Sequence, residues 1–124
     1  MVIEVHVEGL DNYKKAADEH KGKVIFVLFS GSTDSEGNNW CPDCVAADPV
    51  IQKCLSSAPD DAVFIHCGVG DRTFWKDQTN SFRTDPELKL KSVPTLIVLG
   101  KSQRLEEEQC AKEDLVKMLF SGED

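Results

Sequence analysis

Two cysteines separated by two residues, Cys41 and Cys44, are the residues whose type and spacing most directly indicate chemistry. Thiol–disulfide exchange needs one accessible, ionised sulfur and a second sulfur that can attack the resulting mixed disulfide. Pro42 suits the first turn of a helix, because its missing N–H would be unpaired there anyway. A helix that begins here would place Cys41 at its N-terminus, where unpaired N–H groups and the helix dipole favour a thiolate. Cys44 would lie about one turn further along, more buried and able to attack back.

A structural zinc site is the competing interpretation of these two cysteines. Zinc takes four ligands in such sites, and the sequence has no second Cys-x-x-Cys pair. The remaining candidate ligands are scattered singly along the chain: Cys54, His66, Cys67 and Cys110. We therefore expect no bound metal. The histidines show no ligand spacing and are assigned no function: His6, His20 and His66.

The residues that flank the dithiol each allow two interpretations. Trp40 is expected to shield the dithiol and contact substrate, although a packing tryptophan would look the same. Asp43 could accept a proton from a cysteine or make Cys41 less acidic by like-charge repulsion. Alternatively, it is a first-turn carboxylate that interacts favourably with the helix dipole. The polar, glycine-bearing stretch 30–39 is predicted to be a loop that walls the site and narrows access, or else a solvated insertion.

The segment Ser92-Val93-Pro94-Thr95 is the second candidate part of the site. A cis bond before Pro94 would make a sharp turn and expose the Val93 backbone for pairing with an extended substrate. The alternative is an ordinary proline at the start of a strand. We include Val93 and Thr95 among the predicted substrate-binding residues.

Hydrophobic periodicity predicts the elements that position these residues. The run 24–29 is continuously apolar, as in a central strand buried on both faces. Asp11 is expected to cap the first helix, and Pro49 to kink the second. The predicted strands are 2–8, 24–29, 62–67, 94–99 and 103–106, and the predicted helices are 11–20, 42–57, 71–84 with breaks, and 114–120. The order β-α-β-α-β-α-β-β-α indicates an α/β fold, a central mixed sheet flanked by helices on both faces.

Composition limits the class of protein. The 124 residues suit one domain, 1–124, and 40% hydrophobic with 29% charged residues is typical of a globular chain. The net charge of −8 disfavours nucleic acids and anionic membranes as partners. No apolar run is long enough to span a bilayer, and the start of the chain does not resemble a signal peptide. Five cysteines, an odd number, favour a reducing compartment, and we expect a monomer.

The chain resembles the thioredoxin superfamily. The resemblance rests on Trp40-Cys41-x-x-Cys44, on Pro49 eight residues after Cys41, and on Val93-Pro94-Thr95 before a strand and hairpin. It extends over nearly the whole chain to one branch of the superfamily, through the loop before Trp40, Pro42-Asp43, 63–70, 74–77, Cys110 and 115–120.

This resemblance implies a thioredoxin fold and a cytosolic disulfide reductase that binds no cofactor of its own. Electrons would come from NADPH through thioredoxin reductase. Cys41 would be the nucleophile, Cys44 the resolving thiol, and Pro94 would be cis. Implied substrates are cystine, nitrosylated thiols and selected protein disulfides, with some peroxidase activity. A dynein light chain is an implied signalling partner, and a redox-sensing interaction module is the alternative function.

The chain also departs from ordinary thioredoxin. Pro42-Asp43 replaces the Gly-Pro pair between the cysteines, and Leu28 stands where thioredoxin has a proton-handling aspartate.

Overall fold

The structure is a computed structural model that describes residues 2–122. Within these residues there are five strands, two turns of 3-10 helix and five α-helices. The strands are β1 (Ile3–Glu8), β2 (Ile25–Ser30), β3 (Val63–Gly68), β4 (Thr95–Val98) and β5 (Arg104–Glu106). The helices are α1 (Leu10–Glu19), α2 (Pro42–Cys54), α3 (Arg72–Lys76), α4 (Ser81–Thr84) and α5 (Glu113–Ser121). The 3-10 turns are Leu55–Ser57 and Glu107–Ala111.

The strands form one mixed sheet in the order β1-β3-β2-β4-β5. β3 lies between β1 and β2 and is parallel to both, whereas β4 is antiparallel to β2 and to β5. Every residue of β2 is buried, as its continuous apolar sequence predicts for a central strand. The predicted mixed sheet is therefore confirmed.

Helices cover both faces of this sheet, as predicted. Successive side chains of a strand point to opposite faces, so β2 contributes to two separate cores. On one face, α1, α3 and α4 supply buried residues, namely Tyr13, Ala16, Trp75 and Phe82, against Ile25, Val27 and Phe29. On the other face, α2 and α5 supply Ala47, Ile51, Cys54, Val116, Leu119 and Phe120 against Phe26, Leu28 and Phe64. This arrangement confirms the predicted α/β fold with helices on both faces of the sheet.

The beginning of α1 differs from the prediction. Gly9, not Asp11, is the N-cap, with φ of +87°, a backbone conformation that favours glycine. Asp11 lies inside the first turn, where a carboxylate still interacts favourably with the helix dipole.

The region predicted as a helix with breaks, 71–84, is two short helices. The side chain of Asp71 accepts a hydrogen bond from the Phe74 N–H and so caps α3. Asn80 caps α4 by accepting from the N–H groups of Phe82 and Arg83, which requires the chain to leave helical geometry before residue 81.

The second helix ends earlier than predicted. α2 ends at Cys54, and residues 55–57 form a 3-10 turn instead of continuing it. Pro49 lies inside α2, which runs through it as one helix. Among residues 2–122, no helix combines the length and apolar character needed to cross a membrane.

Candidate active site

The two cysteines of the predicted dithiol form a disulfide at the start of α2. Cys41 is the N-cap of the helix and Cys44 lies in its first turn, with their Cα atoms 5.2 Å apart. The N–H of Cys44 donates a hydrogen bond to the Sγ of Cys41 at 3.2 Å. A helix amide aimed at sulfur stabilises negative charge there, as a nucleophilic thiolate needs. Both cysteines are 4% exposed, so exchange at this pair is confined to a small opening.

The Val93–Pro94 peptide bond is cis and lies against the dithiol. The carbonyl oxygen of Val93 is 3.7 Å from the Sγ of Cys41. The carbonyl of Pro94 accepts from the N–H of Glu107 at 2.9 Å, which ties this turn to the 3-10 turn 107–111. Thr95 is fully buried, and its Oγ1 donates to the Ser92 carbonyl at 2.7 Å. The structure thus brings Val93 to Cys41, whereas the Thr95 side chain is directed into the protein.

A groove of about 430 Å³ runs beside Cys41. Its wall includes the predicted residues Trp40, Pro42, Asp43 and Val93 together with residues from α3, α4 and the segment before β4. Three cations line this groove, Lys76, Arg83 and Lys91, against two acidic residues, Asp43 and Glu107, in a chain whose net charge is −8. The groove can therefore hold a disulfide whose flanking groups carry negative charge.

Trp75 and Arg83 form one fixed unit of this groove. The guanidinium carbon of Arg83 lies 4.1 Å from the centre of the Trp75 ring, a cation–π distance. The Nε of Arg83 donates to the Trp75 carbonyl at 2.9 Å. Trp75 was not assigned to the site from the sequence, because nothing local shows that α3 faces the dithiol.

Asn39 and Trp40 hold the chain that enters the dithiol. The Oδ1 of Asn39 accepts from the Cys41 N–H at 2.9 Å, and its Nδ2 donates to the Gly31 carbonyl at 2.9 Å. The Nε1 of Trp40 donates to the Gly70 carbonyl at 3.0 Å. A Cβ at Gly31 would come within 2.9 Å of both Asn39 and Trp40, so the close approach requires glycine there. Sequence reasoning missed Asn39.

The loop 31–39 is internally ordered by Asp34. Its Oδ1 accepts from the N–H groups of Glu36 and Asn38, and Thr33 forms an isolated bridge with Asn39. The loop residues line a different cavity from the Cys41 groove. A role of this loop in selecting substrates stays a prediction.

This second cavity, of about 620 Å³, lies on the Cys44 side of the disulfide. Its lining includes Cys44, Asp48, His66 and His6, with loop residues Thr33, Gly37, Asn38 and Asn39. The rings of His6 and His66 are 4.8 Å apart, centre to centre. The Nδ1 of His66 is buried without a hydrogen-bond partner in the described structure. Burial lowers the pKa of His66 from its ordinary value, and the nearby His6 lowers it further.

Asp43 is exposed in the first turn of α2 and lines the Cys41 groove, not the cavity on the Cys44 side.

The three cysteines outside the pair are buried free thiols: Cys54, Cys67 and Cys110. Within residues 2–122, no three His, Cys, Asp or Glu side chains are grouped so that they could hold a metal ion.

Known proteins match this chain over most of its length. Residues 6–122 match the family described as "Thioredoxin domain-containing protein 17-like, thioredoxin domain". Thioredoxin domain-containing protein 17 of Mus musculus is 51% identical over 118 residues, covering 95% of this chain and 94% of that protein. The Homo sapiens protein of that name is 46% identical with the same coverage. The thioredoxin-like protein Clot of Arabidopsis thaliana is 39% identical over 84 residues, 67% of this chain and 63% of that protein.

Solved thioredoxin structures share the fold. Reduced Schistosoma mansoni thioredoxin pre-protein superposes with a TM-score of 0.57 at 19% identity, covering 95% of this chain and 97% of that one. A mutant thioredoxin from Halobacterium salinarum gives 0.56 at 20% identity, covering 97% and 89%. The resemblance stated from the sequence is confirmed. Similarity of this extent places the chain in the thioredoxin domain-containing protein 17-like family, and its thioredoxin fold and Cys41–Cys44 pair make it a thiol oxidoreductase.

Proposed function

We propose that this thiol oxidoreductase works as a disulfide reductase, with Cys41 as nucleophile and Cys44 as resolving thiol. The observation that carries the proposal is the position of Cys41. It is the N-cap of α2, its sulfur accepts from the Cys44 N–H, and it borders the groove that an incoming disulfide would enter.

The reaction transfers two electrons from the dithiol to the substrate. The Cys41 thiolate attacks one sulfur of the substrate, the substrate S–S bond breaks, and the first thiolate leaves and takes up a proton. Cys44 then loses its proton and attacks Cys41, which releases the second thiolate and leaves the Cys41–Cys44 disulfide. The backbone beside Val93 would pair with an extended substrate, since its carbonyl faces the reacting sulfur.

The groove supports small or narrow disulfides as substrates. Trp40 and Trp75 supply apolar surface, and the cations Lys76, Arg83 and Lys91 would attract carboxylates such as those of cystine. Selected protein disulfides and nitrosylated thiols belong to the same proposal, as does a peroxidase activity. We place the reaction in the cytosol, where thiols are kept reduced.

Electrons would come from NADPH through thioredoxin reductase, with no cofactor bound to this chain. The test is NADPH consumption in the presence of thioredoxin reductase, with cystine and then insulin as acceptor. We expect wild type to reduce cystine, insulin to react more slowly, and Cys41→Ser to abolish both reactions. Absence of turnover by wild type, with both thiols titratable, would overturn the proposal.

A redox-sensing interaction module is the alternative. It is favoured by two exposed apolar side chains, Val45, which follows Cys44 in the sequence, and Phe74 in α3. A dynein light chain is the partner that the family resemblance proposes. Binding that survives Cys44→Ser, in a protein whose wild type turns over no disulfide, would favour this alternative over the reductase.

A further inference from the structure

We propose that His66 accepts the proton of Cys44 when Cys44 attacks the mixed disulfide. This inference rests on the proposed reductase function, because it concerns the second step of that reaction. It assigns a proton-transfer role to a histidine in the cavity on the Cys44 side.

The sheet places His66 where such an acceptor is needed. In register, His66 of β3 is paired with Leu28 of β2 on one side and with His6 of β1 on the other. Residues paired in parallel strands point to the same face. Leu28 packs in the core that α2 covers, so His66 lies on the face that carries α2. His66 and Cys44 line the same cavity there.

The attacking thiol needs a base because burial disfavours its ionisation. Leu28 is apolar, and Asp43 lines the groove on the other side of the disulfide. The titratable residues that line the cavity with Cys44 are Glu4, His6, Asp48 and His66. A neutral imidazole is a better acceptor for a thiol proton than a carboxylate, whose ordinary pKa is about 4.

His66 also has unused hydrogen-bonding capacity. Its Nδ1 is buried without a partner in the described structure. An unpaired buried ring nitrogen costs free energy, and such an atom in a native protein calls for an explanation, a catalytic role among them. In the neutral tautomer with hydrogen on Nε2, Nδ1 carries a lone pair to which no donor among residues 2–122 is hydrogen-bonded. A cavity of about 620 Å³ has room for water that relays a proton between Cys44 and the ring.

Burial favours the neutral form of the His66 ring at pH 7. Burial lowers its pKa below the ordinary value of 6.5, and His6 on β1 acts in the same direction. Asp48 on α2 and Glu8 on β1 act in the opposite direction without overcoming the shift. An unprotonated acceptor is therefore available at neutral pH.

In the proposed step, the Cys44 thiol gives its proton to the imidazole of His66 and becomes a thiolate. The thiolate attacks Cys41, the Cys44–Cys41 bond forms, and the bond between Cys41 and the substrate breaks. The electron pair of that bond leaves on the substrate thiolate. The imidazolium then returns its proton to solvent or to the departing thiolate, so no other reactant is required.

Stopped-flow reaction of the reduced protein with dithionitrobenzoate separates the two steps. Attack by Cys41 releases one equivalent of thionitrobenzoate at a rate that depends on reagent concentration, and attack by Cys44 releases a second at a rate that does not. The double variant Cys41→Ser/Cys44→Ser gives the background from the three buried thiols.

In His66→Gln we expect the first phase to be unchanged and the second to slow by roughly 100-fold at neutral pH, the lower end of what a general base contributes. The wild-type second phase should also fall at low pH as His66 becomes protonated, and this inflection should vanish in His66→Gln. His6→Gln should move the inflection to higher pH and Asp48→Asn to lower pH. His20→Gln, outside this cavity, is the matched control and should match wild type.

A second phase in His66→Gln with the wild-type rate and pH profile would overturn the inference. So would a slower phase that keeps the inflection, since that indicates a structural role only. If His66→Gln does not fold, the pH inflection of the second phase in His6→Gln and in Asp48→Asn provides the test. Shifts in opposite directions would support the inference, and the absence of these shifts would overturn it. A wild type that releases no second equivalent would instead show that the proposed reductase function is wrong.

Discussion

The indole nitrogen of Trp40 donates a hydrogen bond to the carbonyl oxygen of Gly70 at 3.0 Å, which links the dithiol to the loop after β3. The same carbonyl accepts from the N–H of Ser32 at 3.0 Å, and the Gly70 N–H donates to the Ser32 Oγ at 2.8 Å. Two segments far apart in sequence thus hold the residue that precedes the nucleophile.

Trp40→Phe should lower the free energy of unfolding of the oxidised protein by about 1 kcal/mol, because it removes this donor and keeps most of the apolar ring. Urea unfolding followed by circular dichroism measures the change. Phe74→Tyr, at an exposed aromatic that makes no such bond through its side chain, is the control. Equal stability of Trp40→Phe and wild type would show that the bond contributes nothing.

Asn39→Ala should destabilise the protein by about 1–3 kcal/mol, since it leaves the Cys41 N–H and the Gly31 carbonyl without their partner. Attack by Cys41 on dithionitrobenzoate should also slow, because the residue loses its positioning contact. Asn39→Asp keeps the acceptor and loses the donor, so it should recover part of the stability. If both variants attack at the wild-type rate, Asn39 does not position Cys41.

The buried carboxylate of Asp85 should make stability fall in acid. Burial opposes its ionisation, but the hydrogen bond from Lys14 and those from the backbone of Leu88 and Glu87 outweigh it and hold its pKa below the ordinary 3.8. A lowered native pKa gives stability that is present above about pH 4 and lost as pH falls through the native value. The Oδ2 of Asp85 lies 2.8 Å from the Nζ of Lys14, which is the ion pair that protonation of Asp85 would break.

Asp85→Asn should therefore cost about 1–3 kcal/mol at pH 7 and less below pH 4, where the wild-type carboxyl is also losing its charge. Urea unfolding at pH 7 and at pH 3 provides the comparison. An equal loss at both pH values would mean that the charge of Asp85 does not contribute.

Cys67 and Cys110 should be unreactive in the native protein. Burial raises the pKa of each thiol to about 12, and both side chains are fully buried. Iodoacetamide at pH 8 should label Cys41 in the reduced native protein and all five cysteines only after unfolding, as read by mass spectrometry. Rapid native labelling of either buried thiol would contradict the structure.

The same two thiols give a prediction in alkali. Their native pKa of about 12 exceeds the ordinary 9.0, so the stability they contribute is complete below pH 9. It is lost as pH rises from 9 towards 12, because the unfolded chain releases thiol protons that the native protein retains. Cys67→Ala and Cys110→Ala should each show a weaker decline in the free energy of unfolding between pH 8 and pH 10.

The dithiol, the order of most elements and the two-sided burial of β2 are all predictable from the amino-acid sequence. These features are local: Pro42 begins a helix, apolar runs and alternation define strands, and two intervening residues bring Cys41 and Cys44 together. The prediction of Asp11 as the cap of α1 was wrong, and α3 and α4 were predicted as one helix with breaks. Both differences arise because several residues near a helix end can act as its cap. The caps in the structure are Gly9 for α1 and Asn80 for α4, and the hydrophobic periodicity of the sequence does not reveal the backbone geometry that makes them caps.

The surroundings of the dithiol, in contrast, depend on how distant segments pack. His66 is far from Cys44 in sequence, and Trp75 and Arg83 are further still from Cys41, yet each lines a cavity beside it. Alternation along β3 predicts that His66 faces away from its neighbours Ile65 and Cys67. It does not predict which helix covers that face, since strand register and helix packing are set by contacts between segments that lie far apart along the chain.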